Sequence, residues 1–207
     1  MSEDKSKVYV ILLAGGSGSR MESNIAKQHI VVNEHQIIEY TLKAFSNSDD
    51  INNIIIVSNP YYIELVEGLK KKFTKVKRVI RGGETRIMSV FNGIKALENI
   101  AKDEDKIIIS DAARPCITKR EIEDIIFLLN KYIAVTSGIA SNETILKVKH
   151  DEIETIIQRE GIIRQTSPEG YIFSALKWLY LNCDEKIISS YNNIGIDQLH
   201  ASGVKIG

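Results

Sequence analysis

Two cations bracket a run of small residues near the start of the chain. Ala14-Gly15-Gly16-Ser17-Gly18-Ser19 is closed by Arg20, and Lys27 follows. Glycines in such a loop let backbone N–H groups approach a phosphate chain. Cations at its end suit a triphosphate whose charge grows on a departing pyrophosphate. A dinucleotide fingerprint would need glycine where Met21 stands, and no G-K-[ST] phosphate loop is present. Further on, Asp111 ends the apolar run Ile107-Ile108-Ile109-Ser110, with Arg114 after it. A carboxylate at the carboxyl end of a buried strand is placed to hold Mg²⁺, or another divalent cation, against phosphates, because that ion favours oxygen ligands. An Asp111–Arg114 ion pair tying off the strand end is the competing reading. A third segment, Gly82-Gly83-Glu84-Thr85-Arg86-Ile87-Met88-Ser89, follows another apolar run and puts Ser89 one turn inside the next helix.

The elements that must position these residues alternate. Short apolar runs at Val8–Leu13, Asn53–Val57, Val76–Ile80, Lys106–Ser110 and Ile133–Ser137 predict buried strands. Helices are predicted at Gln36–Phe45, Pro60–Phe73, Thr85–Asn99 and Thr118–Leu129. In the first, Ile37, Tyr40, Thr41 and Ala44 recur at helical spacing. Alternation of this kind implies an α/β fold with a doubly wound, mainly parallel sheet, whose ligands sit at the carboxyl ends of the strands. From about Ser141 to Arg164 the pattern becomes a protruding β-arm. Extended pieces at Thr144–Val148 and Ile153–Ile157 flank Lys149-His150-Asp151-Glu152. Helices near Ile172–Leu181 and Ile194–Ala201 are predicted to follow, with Ser167-Pro168-Glu169-Gly170-Tyr171 as a turn before them. One domain over residues 1–207 is expected, with the arm at about 141–164.

Composition narrows the partners. Lys plus Arg and Asp plus Glu number 27 each in 207 residues, so no long-range field draws nucleic acid or an anionic membrane. Cys116 and Cys183 lack metal-site or redox spacing, which fits a reducing cytoplasm. The first apolar run is too short for a signal peptide core or a membrane span.

Taken together, Ala14-Gly15-Gly16-Ser17-Gly18-Ser19-Arg20-Met21 with Ala26-Lys27-Gln28 resembles the nucleotide signature of the sugar-nucleotide pyrophosphorylase superfamily. The chain is similar, more narrowly, to the 2-C-methyl-D-erythritol 4-phosphate cytidylyltransferase family and its ribitol-5-phosphate relatives. Gly82-Gly83 through Gly93 and Asp111-Ala112-Ala113-Arg114-Pro115 continue the resemblance in order. It implies transfer of CMP from CTP to a polyol phosphate, with Ala14, Gly15, Gly16, Gly18, Gly82, Ser89, Asp111 and Arg114 around the nucleotide. Gly82 and Ser89 would help select cytosine, and Arg20 and Lys27 would carry the catalytic charge. It also implies a homodimer in which the arm crosses over, so that Thr144 and Arg159 bind the acceptor phosphate of the neighbouring subunit.

Methylerythritol phosphate is the expected acceptor, because Ser89-Val90 and both alanines after Asp111 look more like that branch. Ribitol phosphate, or another polyol phosphate of wall or capsule assembly, is the alternative, since Ala14-Gly15-Gly16 is nearer the second branch. The chain departs from the family at Glu169, where an amide is usual, and at Asn192-Asn193-Ile194-Gly195, where an acidic element is usual. It ends at Gly207, before the family's last lysine-bearing strand. A non-catalytic nucleotide-binding relative is the reading of a different class that these departures would favour.

Overall fold

The computed structural model describes residues 6–16, 25–182, 199–200, 203 and 205–207. Along the chain, β1 (Val8–Ala14) leads to a small hairpin of β2 (Val31–Val32) and β3 (His35–Gln36), then α1 (Ile37–Ser46). β4 (Asn53–Ser58), α2 (Ile63–Gly68), β5 (Val76–Arg81), α3 (Arg86–Leu97), β6 (Lys106–Asp111) and α4 (Lys119–Leu128) then alternate. β7 (Ala134–Ala140), β8 (Ile145–Lys149), β9 (Glu152–Ile157), β10 (Ile163–Ile172) and α5 (Phe173–Asn182) follow.

The central sheet has the order β5-β4-β1-β6-β10-β7. β1, β4, β5 and β6 are parallel, and β10 runs antiparallel between β6 and β7. Strict alternation of side chains across the pleat divides the apolar residues into two cores. Val8, Val10, Leu12 and Ala14 of β1 pack with Ile54 and Ile56 against Ile38, Leu42 and Phe45 of α1 and Ile122 and Ile125 of α4. Tyr9, Ile11 and Leu13 pack with Ile55 and Val57 against Ile94 and Leu97 of α3 and Leu176 and Leu179 of α5. Being buried on both faces explains why these strands read as continuous apolar runs.

The helix starts are set by local chemistry. Thr118 and Glu121 reciprocate at α4, where the Thr118 hydroxyl accepts from the Glu121 N–H and the Glu121 carboxylate accepts from the Thr118 N–H. At α3, the Thr85 hydroxyl accepts from the Met88 N–H. Both helices therefore begin beside the strand ends from which they emerge.

Two predicted elements differ from those observed. The Pro60–Phe73 helix is broken into a 3₁₀ turn at Pro60–Tyr62, α2, and a second 3₁₀ turn at Leu69–Lys71. Gly68 lies at the second junction and weakens the helix there. The Ser167–Tyr171 turn is instead the buried centre of β10. Turn-forming residue types hide this strand, and the proline, which has no N–H to donate, is accommodated at a shift in register between Thr166 and Glu169. The helix expected at Ile194–Ala201 falls almost wholly outside the described residues. β8 and β9 form the arm as a separate two-stranded sheet, turned at His150 and Asp151, whose φ angles are 51° and 64°.

Candidate active site

The carboxyl ends of β1, β4, β5 and β6 are sewn together by backbone hydrogen bonds. The Ala112 N–H donates to the Leu13 carbonyl at 2.8 Å, that of Gly82 to Ser58 at 2.8 Å, and that of Asn59 to Ala14 at 3.3 Å. The motifs after β1, β5 and β6 therefore meet at one edge of the sheet, where open α/β folds bind ligands.

The loop after β1 is anchored by Gln28. Its buried side-chain amide donates to the carbonyls of Ala14, at 2.9 Å, and Gly16, at 3.0 Å. Across a trans peptide the C=O and N–H point in opposite directions, so the Gly15 N–H is aimed away from Gln28. Lys27 sits in the same 3₁₀ turn, Lys27–His29, with its side chain exposed. Thus the turn is pinned to the loop while its cation faces outward. Gly18 and Arg20 lie outside the described residues.

His29, next in the turn, is buried against the Tyr62 ring at 4.2 Å between centroids. Its Nδ1 lies 2.8 Å from the Gln36 Oε1. Burial lowers its pKa below the ordinary histidine value, partly offset by the hydrogen bond to Gln36.

Ser89 joins the loops after β1 and β5. Its hydroxyl donates to the Thr85 carbonyl at 3.0 Å and accepts from the Gly83 N–H at 3.1 Å. A Cβ at Gly82 would stand 3.0 Å from the Ser89 Oγ and 3.3 Å from the Ser58 carbonyl, and one at Gly15 would stand 3.4 Å from the same Oγ. Only hydrogen at position 82 leaves this approach open. The hydroxyl's proton is spent, so a remaining lone pair makes Ser89 an acceptor.

Asp111 ends β6 with its side chain 41% exposed. Its N–H donates to the Ser167 hydroxyl at 3.2 Å, which in turn donates to that of Ser110 at 3.3 Å. Its carboxylate pairs with Arg86, the Nε lying 3.7 Å from Oδ1, rather than with Arg114 as the spacing along the chain suggested. Arg114 is half-buried in the turn that follows, and its carbonyl accepts from the Ile117 N–H. The buried Thr41 hydroxyl of α1 fixes that turn by donating to the Ala112 carbonyl at 2.8 Å. Among the described residues, no cluster of three or more His, Cys, Asp or Glu side chains is arranged to hold a metal. A divalent cation at Asp111 would thus complete its shell with phosphate oxygens and water, as Mg²⁺ commonly does. The exposed carboxylate fits that role.

Thr144 and Arg159 stand on the two chain segments at the base of the arm, just outside β8 and β9. The Arg159 Nη1 donates to the Asn142 carbonyl at 3.2 Å, two residues before Thr144, and both Thr144 and Arg159 are exposed. Arg86 and Gln28 are residues of this region to which the sequence reading gave no role of their own, and Glu169 was noted only as a departure from the family pattern. Gln28 and Arg86 both stood inside recognised motifs, whereas the position of Glu169 depended on the unrecognised strand β10.

A glycine loop, a glycine–serine corner and a strand-end carboxylate gathered at the carboxyl edge of a parallel sheet define an α/β nucleotide-binding protein. The family model for 2-C-methyl-D-erythritol 4-phosphate cytidylyltransferase matches residues 8–193. A protein of that name from Clostridium botulinum (strain Loch Maree / Type A3) is 36% identical over 187 residues, which cover 88% of this chain and 78% of the relative. One from Thermosipho africanus is 32% identical over 196 residues, covering 95% and 85%. The crystal structure of 4-diphosphocytidyl-2C-methyl-D-erythritol synthase from Anaerococcus prevotii superposes with a TM-score of 0.81 at 21% identity. It covers 97% of this chain and 87% of that one, a likeness of fold. The chain belongs to the 2-C-methyl-D-erythritol 4-phosphate cytidylyltransferase family of nucleotidyltransferases. Among the described residues, no helix is long and apolar enough to cross a membrane.

Proposed function

We propose that this chain transfers CMP from CTP to 2-C-methyl-D-erythritol 4-phosphate and releases pyrophosphate. The observation that carries the reading is the meeting of Gly15, Gly82, Ser89 and Asp111 at one sheet edge, in a chain of this family. A phosphate monoester is largely dianionic at neutral pH, its second pKa being near 6. Its oxygen can therefore attack the α-phosphorus without a general base. One P–O bond forms, the bond to the β-phosphate oxygen breaks, and the electron pair leaves on pyrophosphate. What the protein supplies is position and charge compensation.

In this reading the Gly15 N–H and the loop around it hold the triphosphate, and Ser89 with Gly82 receives the cytosine edge. Lys27 and Arg20 bear on the charge that develops as pyrophosphate departs, and Arg114 lies beside the nucleotide. Asp111 is the residue that would hold Mg²⁺, which when bound neutralises phosphate charge. Thr144 and Arg159 bind the acceptor phosphate of a neighbouring subunit in a cytoplasmic homodimer. Support for self-association comes from one face of the arm. Leu146 pairs with Ile156 and Val148 with Ile153, all four 45–60% exposed, and an isolated hairpin is marginal in water.

The decisive experiment measures pyrophosphate from CTP and Mg²⁺ with methylerythritol phosphate or ribitol phosphate as acceptor. Turnover dependent on methylerythritol phosphate is expected. Turnover with ribitol phosphate alone, or none with either, would overturn the assignment.

A further inference from the structure

Arg86 begins α3 and reaches two carboxylates from different strands. Its Nε lies 3.7 Å from the Asp111 Oδ1, and its Nη2 lies 3.6 Å from the Glu169 Oε1. Both separations exceed those of tight charge-assisted hydrogen bonds, so the guanidinium is shared rather than clamped by either partner. The carboxylates differ sharply in setting. The Asp111 side chain is 41% exposed at the mouth of the site, and that of Glu169 is 5% exposed in the middle of β10. The Tyr171 hydroxyl donates to the Glu169 Oε2 at 2.6 Å and fixes the buried carboxylate in place. Behind the pair lies a small cavity with apolar walls that include Val90, Phe91, Ile94 and Leu176.

We propose that Glu169 is a positioning residue that holds Arg86 back from Asp111 and so keeps the Asp111 carboxylate available to a divalent cation. Removal of the Glu169 charge leaves Asp111 as the carboxylate within reach of the Arg86 guanidinium, whose side chain is 35% exposed. The opposing pull is lost, and the guanidinium closes on Asp111. Asp111 then carries a tight arginine partner, and a metal ion must displace it. The buried carboxylate at position 169 thereby acquires a role at the site although it stands away from its mouth. The inference rests on the cation role of Asp111 proposed above.

The experiment is a water-proton relaxation titration with Mn²⁺ of the protein saturated with CTP and lacking acceptor, accompanied by thermal melts of every variant. Asp111→Asn is expected to weaken Mn²⁺ binding in this complex. Glu169→Gln should raise the half-saturating Mn²⁺ concentration by about three- to fivefold, the scale of one partly solvated charge contact. In the double variant Glu169→Gln/Arg86→Met the value should match that of Arg86→Met alone, since no guanidinium remains to close on Asp111. Arg86→Met alone should bind Mn²⁺ more tightly than wild type, an outcome that does not require Glu169→Gln to fold. Unchanged binding in Glu169→Gln, a loss not reversed by Arg86→Met, or weaker binding in Arg86→Met alone would overturn the proposal. Binding unaffected by Asp111→Asn would remove the cation role itself, and this inference with it.

Discussion

The side-chain amide of Gln28 donates to the carbonyl of Gly16 at 3.0 Å, and its second hydrogen is spent on Ala14 at 2.9 Å. A side chain on a separate turn thus dictates which way the peptides of the glycine loop face. Gln28→Glu preserves size but offers only acceptors to two carbonyls. A drop in stability of about 1–3 kcal/mol is expected from the unpaired buried groups, together with a raised KM for CTP. Thermal melts and initial rates check both, and a variant with wild-type values in each would show that the loop is held by other means.

Ser89 bears on nucleobase choice. Its proton is committed to the Thr85 carbonyl and one lone pair to the Gly83 N–H. What remains accepts a hydrogen bond, which suits the amino group of cytosine and not the carbonyl that uracil presents there. CTP should outperform UTP by roughly ten- to a hundredfold in kcat/KM, the cost of an unpaired polar contact. Ser89→Ala should narrow the ratio. Equal use of the two nucleotides by the unmodified protein would dissociate Ser89 from base selection.

The parallel half of the sheet was legible because its strands are covered on both faces. Val8–Ala14 must be apolar at every position to feed two cores, and an uninterrupted run of that length stands out. The arm was legible for the opposite reason, since its apolar residues alternate around a polar turn. β10 was not, because Ser167, Pro168, Glu169 and Gly170 are types that elsewhere make turns, and here they are buried only because β6 and β7 flank them. The site's loops could be found from their glycines and charges. The partner of Asp111 could not, because Arg86 and Arg114 are equally good cations on paper. Only the packing of α3 back across β4 and β1 brings Arg86, rather than Arg114, into a salt bridge with the aspartate.

The buried imidazole of His29 makes stability depend on pH. Its pKa is lowered in the folded chain, chiefly by burial, so the unfolded chain binds the proton more readily. This histidine therefore costs nothing above its unfolded value of about 6.5, and stability falls as pH drops below that toward the folded value. Glu39 is also shifted down: burial raises its pKa, but the Lys72 and Gln36 contacts outweigh that effect. Its contribution is present above the ordinary carboxylate value of 4.5 and is lost only below it, outside the histidine window. Between pH 7.5 and 5.5 the melting temperature should fall, and His29→Gln should flatten that fall. Parallel curves for the two proteins would assign the slope to other groups.

The last prediction concerns the shared site. Lys27 is exposed beside the glycine loop, whereas Thr144 and Arg159 stand at the base of an arm whose apolar face has no cover within its own two-stranded sheet. If a second copy covers that face, the arm of one subunit supplies the acceptor-phosphate groups of the other. Lys27→Ala should lower kcat at least about a hundredfold, as when one preorganised charge-stabilising group is removed. Arg159→Ala should chiefly raise KM for the acceptor. Mixing the two weak proteins under conditions of subunit exchange should restore part of the activity, because each mixed dimer contains one site with both wild-type groups. Sedimentation should give a dimer, and substituting Ser at Leu146 and Ile156 together should weaken it. Full activity in a monomer, or no recovery after demonstrated exchange, would confine the arm to its own subunit and leave its apolar face to some other contact.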